Sequence, residues 1–230
     1  MRRLAAAVAT AAFVMTASAQ TVTPRRIIRA HGEGLVQARP DVARLGAGVI
    51  TQSATATEAA SRNAEQSAAV IAALRGVLGA TADIRTITYS LGPTYHYPPG
   101  GGQPQLTGFT ANNVVEAVVN DLSIIGRVID AAIGAGANRI ESLRMGLKDE
   151  EPSRMQALRQ AGQKARQKAE AIAAGLGVRL GAVSGAQEGY SVQPVNRVGD
   201  ERAALAAATP VEPGTVDIRA TVTLELEVLQ

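Results

Sequence analysis

Residues 216–228 constrain the fold more than any other stretch. Val216, Ile218, Ala220, Val222, Leu224, Leu226 and Val228 alternate without error against Asp217, Arg219, Thr221, Thr223, Glu225 and Glu227. A period of two puts the first set on one side of an extended chain and the second on the other. The stretch is therefore predicted to be a strand with one buried and one wet face, as in an antiparallel sheet. Such a sheet needs helices over its apolar side.

Three helical stripes are present to cover it. The first opens on a capping box, Thr55 with Glu58, repeats through Ala60, Ala64, Ser67, Ile71, Leu74 and Leu78, and stops at Gly79. The second can be capped by Asp121, has the stripe Leu122, Ile125, Val128, Ile129 and Ile133, and ends at Gly134 or Gly136. Asp149-Glu150-Glu151 with Pro152 opens the third, where negative charge suits the helix dipole and proline suits the first turn. That helix runs to about Leu176, with Gly177 as its cap. Its alanines at 157, 161, 165 and 169 form an i, i+4 ridge smooth enough for close backbone packing.

Other strands are predicted at 33–51, 84–91, 106–120 and 139–148, with a short one near 180–190 and a long connection over 191–214. In the first, the apolar set Val36 and Ala38 shifts phase to Ala43, Leu45, Ala47 and Val49. The shift brackets Pro40-Asp41, so a bulge or a sheet edge is expected there. In the second, Ile87, Tyr89 and Leu91 share a face. The proline and glycine content of TYHYPPGGGQPQ (94–105) predicts an exposed loop. The order β-α-β-β-α-β-α-β-β gives an α+β fold: a mixed, largely antiparallel sheet with three main helices packed on it. GATADIRTI (79–87) and GANRIESL (136–143) echo one another and suggest two βαβ-like halves, 30–105 and 106–230.

The N-terminus reads separately. MRR is a basic start, LAAAVATAAFVMT a short apolar run and Ala17-Ser18-Ala19 a cleavage site. Together they predict a signal peptide over 1–19, cut between Ala19 and Gln20. The run falls short of the roughly 20 residues of a membrane-spanning helix, and no later segment approaches that length. Arg2-Arg3 lack the flanks of a twin-arginine signal. Residues 20–29 read as a flexible lead-in, and 30–230 as one domain. The chain has no cysteine, which excludes disulfides and a lipid anchor on an N-terminal cysteine. The expected compartment is the periplasm or the medium.

Charge excludes a further class. Of 23 basic residues, Arg2 and Arg3 leave with the signal, so 21 face 20 acidic ones. Aromatics are 3% and tryptophan is absent. Nucleic-acid binding, which uses basic stripes and stacking aromatics, is not expected.

Candidate chemistry is sparse. Gly32-Glu33-Gly34 precedes a strand instead of a helix, and no G-K-[ST] follows, so it is not a phosphate loop. Its glycines are expected to let the backbone bend into the sheet. Glu33 and Asp41 lie on either side of the interruption and imply no shared pocket. His31 and His96 lack ligand spacing, and Asp149-Glu150-Glu151 reads as helix-start charge, so no metal is expected. There is no G-x-S-x-G and no cysteine nucleophile. No catalytic residue, cofactor or enzymatic activity is predicted. Tyr95, His96 and Tyr97, near Tyr89 and Phe109, remain as a candidate interaction surface, against the alternative of a tip packing on itself.

These residues together resemble the SIMPL-domain family over about 28–230. The opening G-x-G…P-D is Gly32, Gly34, Pro40 and Asp41; the asparagine-bearing strand is Ala111-Asn112-Asn113-Val114-Val115, followed by Asp121-Leu122. The G-A-N-x-I turn is Gly136-Ala137-Asn138-Arg139-Ile140. The alanine helix is Ala161, Ala165, Lys168 and Ala169, ending in Leu176-Gly177. The closing P-V-x-P-G runs from Pro210 through Pro213 to Gly214. Phe109 departs from the tyrosine expected before the asparagine strand. The family includes periplasmic proteins described as immunogenic antigens and as oxidative-stress defence proteins, and an animal signalling protein associated with a pelle-like kinase. The resemblance implies no established catalytic residues. With no acid–base or nucleophile cluster in the sequence, an exported, non-enzymatic envelope protein acting through self-assembly or contact with other envelope proteins is expected, and the resemblance adds a part in envelope or oxidative-stress defence. The alternative is a small-ligand binder or enzyme with a pocket between helices and sheet. A homo-oligomer is expected, because a proline-bearing edge strand and an aromatic tip both gain from being covered.

Overall fold

The computed structural model describes residues 26–195, 209 and 211–229. In chain order these form β1 (Ile27–Ala38), β2 (Val42–Ser53), α1 (Ala56–Leu78), β3 (Ile84–His96) and β4 (Gln105–Val119). A 3-10 turn (Leu122–Ile124) then leads into α2 (Ile125–Gly134), β5 (Arg139–Gly146), α3 (Glu151–Leu176), β6 (Arg179–Val195) and β7 (Thr215–Leu229). The α+β class holds. The strands, however, make two sheets instead of one, ordered β1-β7-β6 and β3-β4-β2-β5, with every pair antiparallel.

Pro40 explains the division. The phase shift between Val36 and Ala43 is not a bulge within one strand; it is where the chain leaves one sheet for the other. Proline brings no N–H to a ladder, and neither strand extends over 39–41. β1 also starts inside the expected lead-in, at Ile27, because Ile28 pairs with Leu226 and is buried. The sheets cut across halves drawn at 30–105 and 106–230: β1 pairs with β7, and β4 pairs with both β2 and β3.

In the three-stranded sheet β7 is central, and Val216, Ile218, Ala220 and Leu226 are buried as the alternation requires. Val222, Leu224 and Val228 are half-buried, and Asp217, expected on the wet face, is buried and accepts from Gln37 Nε2 at 2.9 Å. α3 covers this sheet through Ala157, Ala161, Ala165, Ala169 and Ala173. β6 extends to Val195, well beyond the short strand expected. Gly181, Gly185, Gly189 and Ser191 hide any alternation, and the ladder to β7 holds the strand instead.

The four-stranded sheet is covered by α1 and α2 around Leu45, Val49, Val70, Leu74, Val115, Val119, Ile125 and Val128. Thr55 caps α1 by accepting from Glu58 N at 3.3 Å, and Gly79 closes it at φ 96°. The buried stripe is Ala59, Asn63, Ser67, Val70 and Leu74, about one residue round from the expected one, so Ala64 faces solvent. In α2, Ile125, Val128 and Ile129 are buried as expected, but the stripe continues to Ala132 and leaves Ile133 exposed. Among the described residues no helix is long and apolar enough to cross a membrane. β3 runs through Thr94–His96 and β4 begins at Gln105, which shortens the expected loop to 97–104.

Candidate functional site

The glycines of the G-x-G motif serve contact with a helix. A Cβ on Gly34 would lie 1.9 Å from the carbonyl oxygen of Ala157; one on Gly32 would lie 2.0 Å from that of Ala161 and 2.4 Å from Ala165 N. Neither glycine has a positive φ. Bending of the strand is therefore not their purpose: they let the backbone of α3 rest on β1, with the alanine ridge as the other half of the contact. The same helix closes the free edge of β1. Leu35 N donates to Gln160 Oε1 at 3.3 Å, and Lys168 Nζ donates to His31 O at 2.8 Å. Edge groups that would recruit another strand are taken up by the chain's own side chains.

Asp41 is placed elsewhere from Glu33. Its N–H donates to Gly146 O at 3.0 Å, and its Oδ1 accepts from Lys148 N at 2.7 Å. It thereby ties the β1–β2 crossing to the β5–α3 crossing. Glu33 instead meets His31 Nε2 at 3.4 Å, on the open face of β1. The two carboxylates share no partner. Among the described residues no three histidine or carboxylate side chains group as metal ligands.

The remaining motif residues are mostly joints. Gly136 takes φ 114° and Gly177 takes φ 66° at their helix ends, and Ala137 is buried between α2 and β5. Asn138 acts as an extra strand residue: its Oδ1 accepts from Ile50 N at 2.9 Å, its Nδ2 donates to Ile50 O at 2.7 Å, and its own N–H donates to Gly48 O. Asn112 and Asn113 point to opposite faces of β4, opposite Ile50 and Val49; both side-chain oxygens are buried and bond no described residue. Ahead of Pro213 and Gly214, Val211 packs on the core beside α2, and Thr209 Oγ1 donates to Asp130 Oδ1 at 2.7 Å. Ala19, Gln20 and Pro210 lie outside the described residues.

Asn63 was missed by the sequence reading, although it is fully buried. Its Nδ2 donates to Val49 O at 2.7 Å and Ala111 O at 3.2 Å, and its Oδ1 accepts from Ser67 Oγ at 3.4 Å. One side chain so joins α1 to both central strands. A polar letter on a helix gives no signal of such a role; only the interruption of the apolar stripe hints at it.

Two surfaces are left open. The first is the β3–β4 hairpin. Ile87, Tyr89, Leu91, Tyr95, Tyr97 and Leu106 are all more than 40% exposed. His96 pairs with Gln105 at the end of the ladder. β3 is an edge strand, and from Thr86 to Tyr95 it carries no charge. The second is a hollow of about 490 Å³ bordered by β1, β6, β7 and Lys164 of α3. Glu33 and Thr221 form one cross-strand row of its lining, and Leu35, Arg219 and Ser191 the next. These rows face away from α3, because Gly34 and Ala157 leave no room beneath the helix. This hollow lies in a different place from the pocket between helices and sheet that the sequence raised.

Comparison with known proteins agrees with this frame. A family profile for SIMPL, described as "Protein of unknown function (DUF541)", matches residues 28–226. The "26 kDa periplasmic immunogenic protein" of Brucella melitensis and that of Brucella abortus are each 31% identical over 149 residues. The match covers 62% of this chain and 58% of each relative, so the chain spans less than two thirds of their length.

Proposed function

Since the chain belongs to the SIMPL family, a family of unknown function, we propose its role from its own surface: a non-enzymatic envelope protein that works by self-association through the β3–β4 hairpin. It is a periplasmic protein, as its relatives are named. The observation that carries the reading is the uncharged edge from Thr86 to Tyr95 with its exposed apolar and aromatic side chains. Long apolar edges without charge are rare in isolated proteins because they template pairing with other chains. β1 shows what protection looks like here, with Gln160 and Lys168 over its edge. β3 carries Pro93, which cannot donate to a ladder, and register breaks at Thr86/Thr88 and Thr94/Tyr95, with a regular ladder to β4 from Thr88 to Thr94 between them. A second copy pairing β3 with β3 about a two-fold axis satisfies both edges with one isologous contact. A part in stress defence enters through the family resemblance alone, and is proposed only as what such an assembly would serve.

Light scattering on the mature, tag-free chain tests this. The expected result is a multimer whose mass falls when Tyr89→Lys or Leu91→Lys puts charge on the edge. A monomeric mass at high micromolar concentration, unchanged by deleting 95–105, overturns it.

A further inference from the structure

We propose that the hollow on the open face of the β1–β7–β6 sheet binds small zwitterions, either free amino acids or short peptides. Its volume of about 490 Å³ lies within the roughly 300–1,000 Å³ range of small-molecule sites. Gly189 of β6 lies opposite Thr221 of β7, so the strand beside the lining carries no side chain at that position. Further along the same two strands, beside Gly185, a smaller hollow of about 110 Å³ is lined by Gln187, Thr223 and Glu225. A ligand longer than one residue therefore has space to extend.

The charges that line the hollow are not used up by the fold. Lys164 makes no ion pair or hydrogen bond with any described residue, and neither do the hydroxyls of Ser191 and Thr221. Arg219 spends one nitrogen on Asp217, at 3.3 Å, out of a fork with five donors. Among the described residues Glu33 meets only His31, at 3.4 Å. Glu33 and Lys164 border the same hollow without pairing with each other. A guest with an ammonium and a carboxylate answers both. The ammonium goes to Glu33, and the carboxylate to Lys164 and the free side of the Arg219 fork. Ser191 and Thr221 are then within the floor that amide groups would cross, and Leu35 offers an apolar wall. An anion alone would leave Glu33 unanswered and repelled; a cation alone would do the same to Lys164.

The site is open to solvent, so charge-assisted contacts there act through water and the affinity expected is about 1 mM. Calorimetric titration of the mature protein with L-alanine, tri-L-alanine, and tri-L-alanine capped by an N-acetyl or a C-terminal amide group tests the assignment. Binding of tri-L-alanine that weakens about tenfold with either cap is the expected result. Glu33→Gln should abolish the difference made by the acetyl cap, and Lys164→Met should reduce the difference made by the amide cap. Both side chains are on the surface, and unchanged circular dichroism shows that each variant folds. Equal affinity for L-alanine and the tripeptide assigns the site to free amino acids, and tighter tripeptide binding assigns it to peptides. No heat from either at ~20 mM, or binding indifferent to the caps and to both substitutions, overturns the proposal. Because none of these variants touches β3, the result is independent of whether the chain self-associates.

Discussion

Gly34 and Asn63 show how single atoms set this fold. Gly34→Ala would push a methyl carbon to 1.9 Å from the carbonyl oxygen of Ala157, where both sides of the contact are backbone and neither can swing away. Overpacking of this kind costs roughly 1–3 kcal/mol, and the upper end, about 3 kcal/mol, is expected by denaturant titration. Gly76 in α1 has nothing within 4 Å, so Gly76→Ala should instead stabilise by about 0.5–1 kcal/mol. Asn63→Ala abandons three hydrogen bonds in a dry site and should cost about 3 kcal/mol. Asn63→Asp should be worse at neutral pH, since the introduced carboxylate would face two carbonyl oxygens; protonating it in acid should recover part of the loss. Tyr190 supplies an alkaline counterpart. Its hydroxyl donates to Glu150 across the start of α3, with Arg154 stacked 4.7 Å from its ring. That hydrogen bond, then burial and the Glu150 charge, raises the phenol pKa above its ordinary 10.0. A group with a raised folded pKa contributes fully below its unfolded value and loses that contribution as pH climbs through the folded one. The stability gap between the native chain and Tyr190→Phe should therefore be constant near neutrality and narrow above pH 10, as thermal melts across that range would show.

Among the elements, the four-stranded sheet carries a conflict on its open face. Arg44 of β2 and Arg144 of β5 lie directly opposite in register, both exposed, with no ion pair to any described residue. Like charges opposed in this way destabilise a ladder, so Arg144→Glu should raise stability by roughly 0.2–1 kcal/mol. Measured melting of Arg144→Glu alone and with Arg44→Glu, which restores a like pair, separates this from any general gain. The elements also differ in how far the sequence disclosed them. β7 was legible because one strand buried on one face writes its period directly into the residues. α3 was legible because Ala157, Ala161, Ala165 and Ala169 repeat at helical spacing. Their partners, Gly32 and Gly34, were visible as glycines but not as a contact, since the other half of it lies more than a hundred residues away. β6 was illegible beyond its first turns: Gly181, Gly185 and Gly189 leave no apolar period, and only pairing with β7 makes the segment a strand. The hollow draws its lining from β1, β7, β6 and α3, so the site itself could not be read without the fold. Tyr95 to Tyr97 could be singled out by composition, but the uncharged edge that extends from them belongs to sheet order, which local pattern does not specify.

At the scale of the molecule, the question is what keeps the two sheets in register with one another. Their cores are separate clusters, one around Leu45 and Val115 and others beneath α3. The chain crosses between the sheets twice, over 39–41 and over 147–150, and Asp41 is bonded to both sides of that junction through Gly146 O and Lys148 N. Val211 and Thr209 add a further link, reaching from the approach to β7 onto the α2 side. The P-D of the opening motif is thus a hinge pin: proline ends one sheet, and the carboxylate fastens the start of the next. Asp41→Ala removes the acceptor and should cost about 1 kcal/mol, whereas Asp41→Asn keeps an oxygen in place and should cost less than half of that. Because the lost bond lies between the cores and in neither of them, its effect should be local. Hydrogen exchange at the Lys148 amide should quicken in Asp41→Ala while Leu45 and Val115 keep their protection. Exchange that quickens evenly through both sheets would mean that the junction opens only with global unfolding, and an unchanged Lys148 amide would remove Asp41 from the pin altogether.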